Sequence, residues 1–256
     1  MKDTLQIETE RLRNKLWRTF HEACSRYSLL TDGDRVLIGL SGGKDSLLLL
    51  EELGRQAKIH VPHIETMAVH IRVKERPYAS DLAYLEQSCQ EAGVRFHVID
   101  TEIGNEEKKD PCFLCSWYRR KALLKAAEEF QCNKIALGHH KDDAVETLLM
   151  NLIYQGSFCA IPPMLQLDKM PLTWIRPLCL TEEKDILQYA RLRDYKQQTV
   201  NCPFEKESSR ARAKQLIQEL SAWNPDIRSS LWGAMENIKS DYLPHTVRQS
   251  DIVHKS

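Results

Sequence analysis

Six residues, Ser41-Gly42-Gly43-Lys44-Asp45-Ser46, stand between an apolar run, Val36-Leu37-Ile38-Gly39-Leu40, and a leucine-rich segment, Leu47-Leu48-Leu49-Leu50-Glu51-Glu52-Leu53. The run before them reads as a buried strand and the segment after them as a helix. A strand that enters a helix through a glycine turn makes an anion site. The glycines let successive backbone N–H groups face one point, and the helix start adds positive potential there. A phosphate chain suits such a site. The spacing differs from GxxxxGK[ST], because the second glycine and the lysine stand too close to the first glycine. The plainer alternative is a Gly-Gly turn capped by Ser or Asp.

The rest of the chain repeats the alternation. Residues 8–28 have helical spacing, with Leu12, Leu16, Phe20, Ala23 and Cys24 on one face. Strands are expected at 64–71, 95–99, 134–137 and 172–175. Helices are expected at 79–91, 112–130 and 142–154, then after Thr181 and over 208–220 and 226–238. Gly156 to Pro171, with Pro162-Pro163, reads as a loop. Alternating strands and helices predict an α/β fold, a parallel sheet with helices on both faces, followed by a helical C-terminal extension. Ligands of such sheets gather at the carboxyl ends of the strands. The Ser41 loop, His70 and Gly138-His139-His140 all leave the sheet at that edge. The expected division is an N-terminal helix at 1–30, an α/β domain at 31–180 and a helical segment at 181–256.

Lysine plus arginine equals aspartate plus glutamate at 36 each, so nucleic acid can be held only through local basic patches. No apolar run nears the ~20 residues of a membrane span, and the charged start lacks a signal-peptide core. A cytoplasmic protein without membrane contact is expected. In that compartment the 8 cysteines are thiols or metal ligands rather than disulfides. Cys112-Phe113-Leu114-Cys115 opens a helix, where both thiols can face one ion and the helix start favours thiolate. Alone, the pair fits a zinc half-site, a redox pair or part of an iron–sulfur site. Cys202, far along the chain, is a third candidate. Cys24, Cys89, Cys132, Cys159 and Cys179 sit beside apolar residues without partner spacing and are read as small buried hydrophobes.

The SGGKDS loop resembles that of the PP-loop ATP pyrophosphatases, which cleave ATP between its α and β phosphates. In order along the chain come this loop, Cys112/Cys115, Ser116-Trp117-Tyr118-Arg119-Arg120, Ala136-Leu137-Gly138-His139-His140-Lys141-Asp142-Asp143 and Cys202. That combination resembles the TtcA family, the tRNA 2-thiocytidine synthetases, from about Arg11 to Tyr242. The resemblance implies a PP-loop, adenine nucleotide alpha-hydrolase-like fold and an ATP- and Mg²⁺-dependent transfer of sulfur to a cytidine. It also implies a [4Fe-4S] cluster on Cys112, Cys115 and Cys202, whose fourth iron, free of protein ligands, would take sulfide. The partners implied are tRNA and a sulfur donor such as a cysteine desulfurase, with a homodimer as a possible assembly.

In the implied chemistry, the C2 oxygen of cytosine attacks the α-phosphorus and pyrophosphate leaves. Sulfide then attacks C2 and AMP leaves. Ser41, Gly42, Gly43 and Ser46 would cradle phosphates, Lys44 would add charge, and Asp45 would cap the helix or hold Mg²⁺. His70 and Gly138 would lie against nucleotide. Asp142 or Asp143 would hold Mg²⁺ or act as base, or serve only as an N-cap and first-turn acid. Arg119 would contact the α-phosphate or RNA. Arg11, Arg13, Lys15 and Arg18, and Arg210, Arg212 and Lys214, are either RNA-binding clusters or solvated helix faces, and Trp117 or Tyr118 could stack on a base. Two positions depart from the family: relatives commonly carry Asp where Arg72 stands, and some carry Cys where Glu205 stands. A lysidine-synthetase-like ligase shares the loop but needs no cysteines. A sulfur transferase for a small molecule and a zinc-bearing nucleotide sensor are the other readings.

Overall fold

The computed structural model describes residues 2–59, 61–74, 78–102, 111–196, 199–200 and 209–244. Helix α1 (Lys2–Arg26) precedes β1 (Asp34–Gly39), α2 (Lys44–Gln56), β2 (Ile64–Val73), β3 (Tyr78–Ala79), α3 (Leu82–Ala92) and β4 (Arg95–Thr101). Then come α4 (Pro111–Glu129), β5 (Lys134–Ala136), α5 (Lys141–Gln155), β6 (Met164–Gln166), β7 (Thr173–Ile175) and α6 (Glu183–Leu192). Strand β8 (Thr199–Val200), α7 (Ser209–Leu220), α8 (Ile227–Glu236) and a 3₁₀ turn (Ser240–Tyr242) complete the order.

Six strands form one sheet in the order β4-β2-β1-β5-β7-β6, parallel except for the β6–β7 pair. Alternation along β1 sends Val36 and Ile38 to one face and Leu37 to the other. The first face packs on α1, α2, α3 and α6, through residues such as Phe20, Leu48, Leu85 and Ile186. The second packs on α4 through Leu123, Ala126 and Ala127. The stripe foreseen on α1 is buried at every position from Leu12 to Cys24. Among the other cysteines, Cys89, Cys132 and Cys179 are buried as expected, whereas Cys159 is exposed, its Sγ 3.2 Å from Asn151 Nδ2.

Three short strands lie where the sequence gives no strand signal. β6 falls inside the segment read as a loop. It is an edge strand just past Pro162-Pro163 with all three residues exposed, so it lacks the apolar alternation that marks a half-buried strand. β3 and β8 pair antiparallel, Tyr78 with Val200 and Ala79 with Thr199, across some 120 residues of chain that leave no local trace.

Candidate active site

Strand order reverses beside β1: the chain steps from β1 to β2 on one side, and β5 pairs on the other. The carboxyl ends of β1 and β5 therefore form a switch point, where a crevice opens. The loop after β1 and the loop after β5 meet there. An added Cβ on Gly138 would lie 3.0 Å from the carbonyl carbon and oxygen of Asp45 and 3.1 Å from the Ser46 nitrogen. Gly138 thus serves close backbone packing of the two loops, which seats the first turn of α2.

The loop is strapped by its own serines. Ser46 Oγ accepts from the Gly42 N–H at 3.1 Å and donates to the Gly43 carbonyl at 2.9 Å. Ser41 Oγ lies 3.0 Å from Ser46 Oγ and accepts from the Gly43 N–H at 3.3 Å. Gly42 adopts φ +87°, which a side chain would strain. Gly43 is the N-cap of α2 and provides no side-chain cap, and the first N–H groups of a helix left uncapped in this way suit an anion. Lys44 Nζ lies 3.1 Å from Asp45 and 3.3 Å from Glu183, and these two carboxylates raise its pKa against the opposing pull of burial. Burial raises the pKa of Asp45, with Lys44 and His140 pulling the other way.

The two neighbouring acids of α5 are unlike in their contacts. Asp142 is buried. Its Oδ1 accepts from Arg228 Nε at 2.5 Å, and its Oδ2 accepts from the Glu183 N–H at 2.8 Å, capping α6. Asp143 Oδ2 accepts from the His140 N–H at 2.9 Å, and the Asp143 N–H donates to His140 Nδ1 at 3.4 Å, a reciprocal cap. Because Nδ1 accepts there, the neutral imidazole carries its proton on Nε2, 3.5 Å from Asp143 and 3.8 Å from Asp45. Asp45, His140 and Asp143 therefore converge; Asp142 Oδ2 also lies 3.9 Å from His140 Nδ1, but both Asp142 oxygens are engaged, by Arg228 and by the Glu183 N–H. His139 is half-buried with its Nδ1 enclosed, and burial lowers its pKa to about 4.

A small, mainly apolar cavity of about 120 Å³ opens beside the loop, lined among others by Leu40, Ser41, His70, Ile71 and Arg119. Both His70 ring nitrogens are engaged: Nδ1 lies 2.8 Å from the Leu40 carbonyl and Nε2 lies 2.8 Å from Ser80 Oγ. Burial lowers its pKa, so a neutral ring donates from Nδ1 and accepts at Nε2. Arg119 reaches this cavity from α4, and Cys115 precedes it by four residues on the same helix face. Cys115 is half-buried, and the backbone of Cys112 lies in the first turn of α4. Cys202 and Glu205 fall outside the described residues. Among the described residues no three His, Cys, Asp or Glu side chains form a metal-holding group.

Sequence reasoning missed Glu183. It bridges Lys44 and, at 2.5 Å, Lys214 of α7. A second cation of α7 also meets acids: Arg210 lies 3.2 Å from Asp143 and 3.7 Å from Glu146, whereas Arg212 is exposed. On α1, Lys15 pairs with Asp185 at 2.7 Å and Arg13 with Glu10 at 2.8 Å. Arg72 forms a two-pronged contact with its cross-strand neighbour Asp100, at 2.6 and 2.8 Å, on the exposed sheet edge. Trp117 is exposed, edge-on to Tyr118. No described helix is long and apolar enough to cross a membrane.

Comparison with known proteins agrees with this geometry. Residues 9–219 match the model of a PP-loop domain family. A tRNA-cytidine(32) 2-sulfurtransferase of Alcanivorax borkumensis is 34% identical over 243 residues, covering 92% of this chain and 85% of that one. The enzyme of the same name from Pseudomonas putida is 32% identical, covering 94% and 89%. Among solved structures, the U34-tRNA thiolase NcsA from Methanococcus maripaludis, determined with its [4Fe-4S] cluster, superimposes with a TM-score of 0.73 at 24% identity, covering 90% and 81%. The chain belongs to the PP-loop family and, within it, to the tRNA-cytidine 2-sulfurtransferases of the TtcA type that its motifs resemble.

Proposed function

We propose that this protein is a cytoplasmic, ATP-dependent sulfurtransferase that converts cytidine 32 of a tRNA to 2-thiocytidine. One observation carries the reading beyond family membership. Arg119 lines the cavity beside the phosphate loop, and Cys115 stands one helical turn away on the same face of α4, about 5–6 Å between Cβ atoms at that spacing. One helix thus joins the nucleotide crevice to the cysteine pair, as adenylation and sulfur delivery at a single base require.

In this reading, ATP lays its β and γ phosphates on the N–H groups of α2, with Lys44 leaving Glu183 to meet them. The adenine fills the small cavity against Ile71 and the backbone of Leu40. Arg119 faces the α-phosphate. The C2 oxygen of the cytosine attacks the α-phosphorus, and pyrophosphate leaves toward Lys44. Asp143 is the carboxylate that supports this step, and Asp142 is a structural residue. Asp45, beside Asp143, fits Mg²⁺, which takes carboxylate and phosphate oxygens. A sulfur nucleophile then displaces AMP from C2, completing the exchange of oxygen for sulfur.

The donor set fits an iron–sulfur cluster. Cys112 and Cys115 stand three residues apart on α4. Val200, paired to β3 just before the His70 partner Ser80, leaves two residues, at most about 7 Å of chain, to Cys202. Held by these three thiolates, a [4Fe-4S] group would supply an iron open to sulfide. The segment 181–256 completes the site from outside the sheet domain. A sulfur donor such as a cysteine desulfurase and a homodimeric assembly complete the proposal. Nucleosides from cells lacking the gene should lose 2-thiocytidine alone, and an unchanged 2-thiocytidine level would refute the assignment. Anaerobically purified protein should hold about four irons, and Cys202→Ser should lose them and thiolation while keeping ATP binding.

A further inference from the structure

Sulfur exchange at C2 of a cytosine sets a condition on the RNA. A base held in a duplex gives its C2 oxygen to guanine and hides the ring face that sulfide must approach, so the reacting base has to be unpaired. Proteins hold such strands by neutralising phosphates and by stacking bases on aromatic rings. The outer face of α4 carries both kinds of group. From Pro111 to Ala127 this helix has no acidic residue. Trp117, Arg120, Lys121 and Lys125 share one side of it at spacings of three and four residues, and all four are exposed. Trp117, 43% exposed, has Lys121 Nζ 5.2 Å from its ring centroid and Tyr118 edge-on at 4.9 Å.

Arg120, Lys121 and Lys125 have no acidic partner among the described residues. On α1 and α7, by contrast, Arg13, Lys15, Arg210 and Lys214 each lie beside a carboxylate. Three unpaired charges around an open ring make a positive strip in a chain of zero net charge. The strip leads to the reacting centre. Arg120 follows Arg119, which lines the cavity beside the phosphate loop. At about 100° of turn per residue, Arg119 and Trp117 lie on nearly opposite sides of α4, with Arg120 between them. A strand stacked on Trp117 therefore rounds one helix width, about 10–12 Å, past Arg120 to bring a neighbouring base to the cavity.

We propose that the outer face of α4 is the track for the unpaired strand of the RNA: Trp117 stacks on a base beside the reacting cytidine, and Arg120, Lys121 and Lys125 take up the flanking phosphates. This rests on the reading of the protein as a tRNA-cytidine sulfurtransferase. Binding of a tRNA transcript is measured by filter binding over a range of salt, and affinity for an ATP analogue checks that each variant is folded. Trp117→Ala should weaken tRNA binding by about tenfold and leave its salt slope as it is. Trp117→Phe, which keeps a stacking ring, should retain the affinity. The triple variant Arg120→Gln, Lys121→Gln, Lys125→Gln should lower the slope of log affinity against log salt by about 2, at roughly 0.7 per phosphate of a single strand. A blunt RNA duplex, which offers no unpaired base, should bind wild type and Trp117→Ala alike. Wild-type protein that binds no tRNA would overturn the functional reading and this proposal together. Where wild type binds, undiminished affinity in Trp117→Ala, a loss in Trp117→Phe as large as in Trp117→Ala, an unchanged slope in the triple variant, or an equal loss on the duplex would overturn the α4 track alone.

Discussion

Asp142 and Asp143 are adjacent in sequence and identical in chemistry, yet their contacts predict opposite phenotypes. Replacing Asp142 by Ala removes a buried carboxylate with two partners, Arg228 Nε at 2.5 Å and the Glu183 N–H at 2.8 Å. It leaves the guanidinium without its carboxylate, with Ser221 Oγ at 3.2 Å as its remaining partner, and takes the acceptor from a helix N–H. Breaking a buried ion pair costs about 3–5 kcal/mol. The Arg228 side chain keeps 30% of its surface exposed, so water recovers part of that, and about 2–3 kcal/mol is expected. With a urea slope of about 1–3 kcal/mol per molar, the unfolding midpoint should fall by roughly 1 M. Asp143→Asn is milder. The amide oxygen can still accept the His140 N–H, and the Arg210 partner is nearly half exposed, so a loss of about 1 kcal/mol or less is expected. Its turnover should nevertheless drop by about 10²-fold or more, as removal of a carboxylate at the reacting centre does. Urea titration and single-turnover thiolation of a tRNA transcript, run on both variants, separate the two. An Asp142→Ala protein with the wild-type midpoint and no turnover, beside an active Asp143→Asn protein, would show the roles reversed.

Gly138→Ala should weaken binding of a non-hydrolysable ATP analogue by about tenfold, because the new methyl would press on Asp45 and Ser46 at 3.0–3.1 Å and overpacking costs about 1–3 kcal/mol; calorimetric affinity equal to wild type would contradict loop positioning by that contact. Binding of tRNA should fall steeply with salt, since a chain of zero net charge must anchor RNA through local cations; a flat dependence, measured by filter binding, would argue against phosphate anchoring. Glu52 ionises near 4.5 in the unfolded chain and about 8 when folded, because burial disfavours the ion. The folded state therefore holds the extra proton between those values, and stability declines as pH rises through that window, by up to about 1.4 kcal/mol per pH unit. Glu52→Gln should abolish that decline, and parallel melting-temperature curves from pH 5 to 9 for the two proteins would contradict it.

Most of the sheet was legible because its signals are local. An apolar run, a glycine turn and a helical stripe each fit in a window of about ten residues, and burial of Leu12 to Cys24 or Val36 to Leu40 follows from period alone. Gly93 ends α3 in a left-handed conformation, just past the helix expected at 79–91. The strands that escaped notice are those stabilised by a partner rather than by their own pattern. β8 exists because Val200 meets Tyr78, and β6 because Met164 lies opposite Ile175.

The same division runs through the site. The glycine and serine spacing of the phosphate loop is a local code, and the strap from Ser46 to Gly42 and Gly43 closes within five residues. The difference between Asp142 and Asp143 is not local. It is made by Arg228 on α8 and by the start of α6, which reach Asp142 and leave Asp143 beside Asp45 and His140. Charge behaves likewise. Composition counts the cations of α7 but cannot say where they point. Arg210 and Lys214 fold back onto Asp143, Glu146 and Glu183, so the crevice that must admit polyanionic ATP is ringed by cations already shared with acids. An entering phosphate chain competes with carboxylates for Lys44 rather than meeting a bare positive field. For that reason the motif alone predicts where ATP goes, while the distant helices set how tightly it is held.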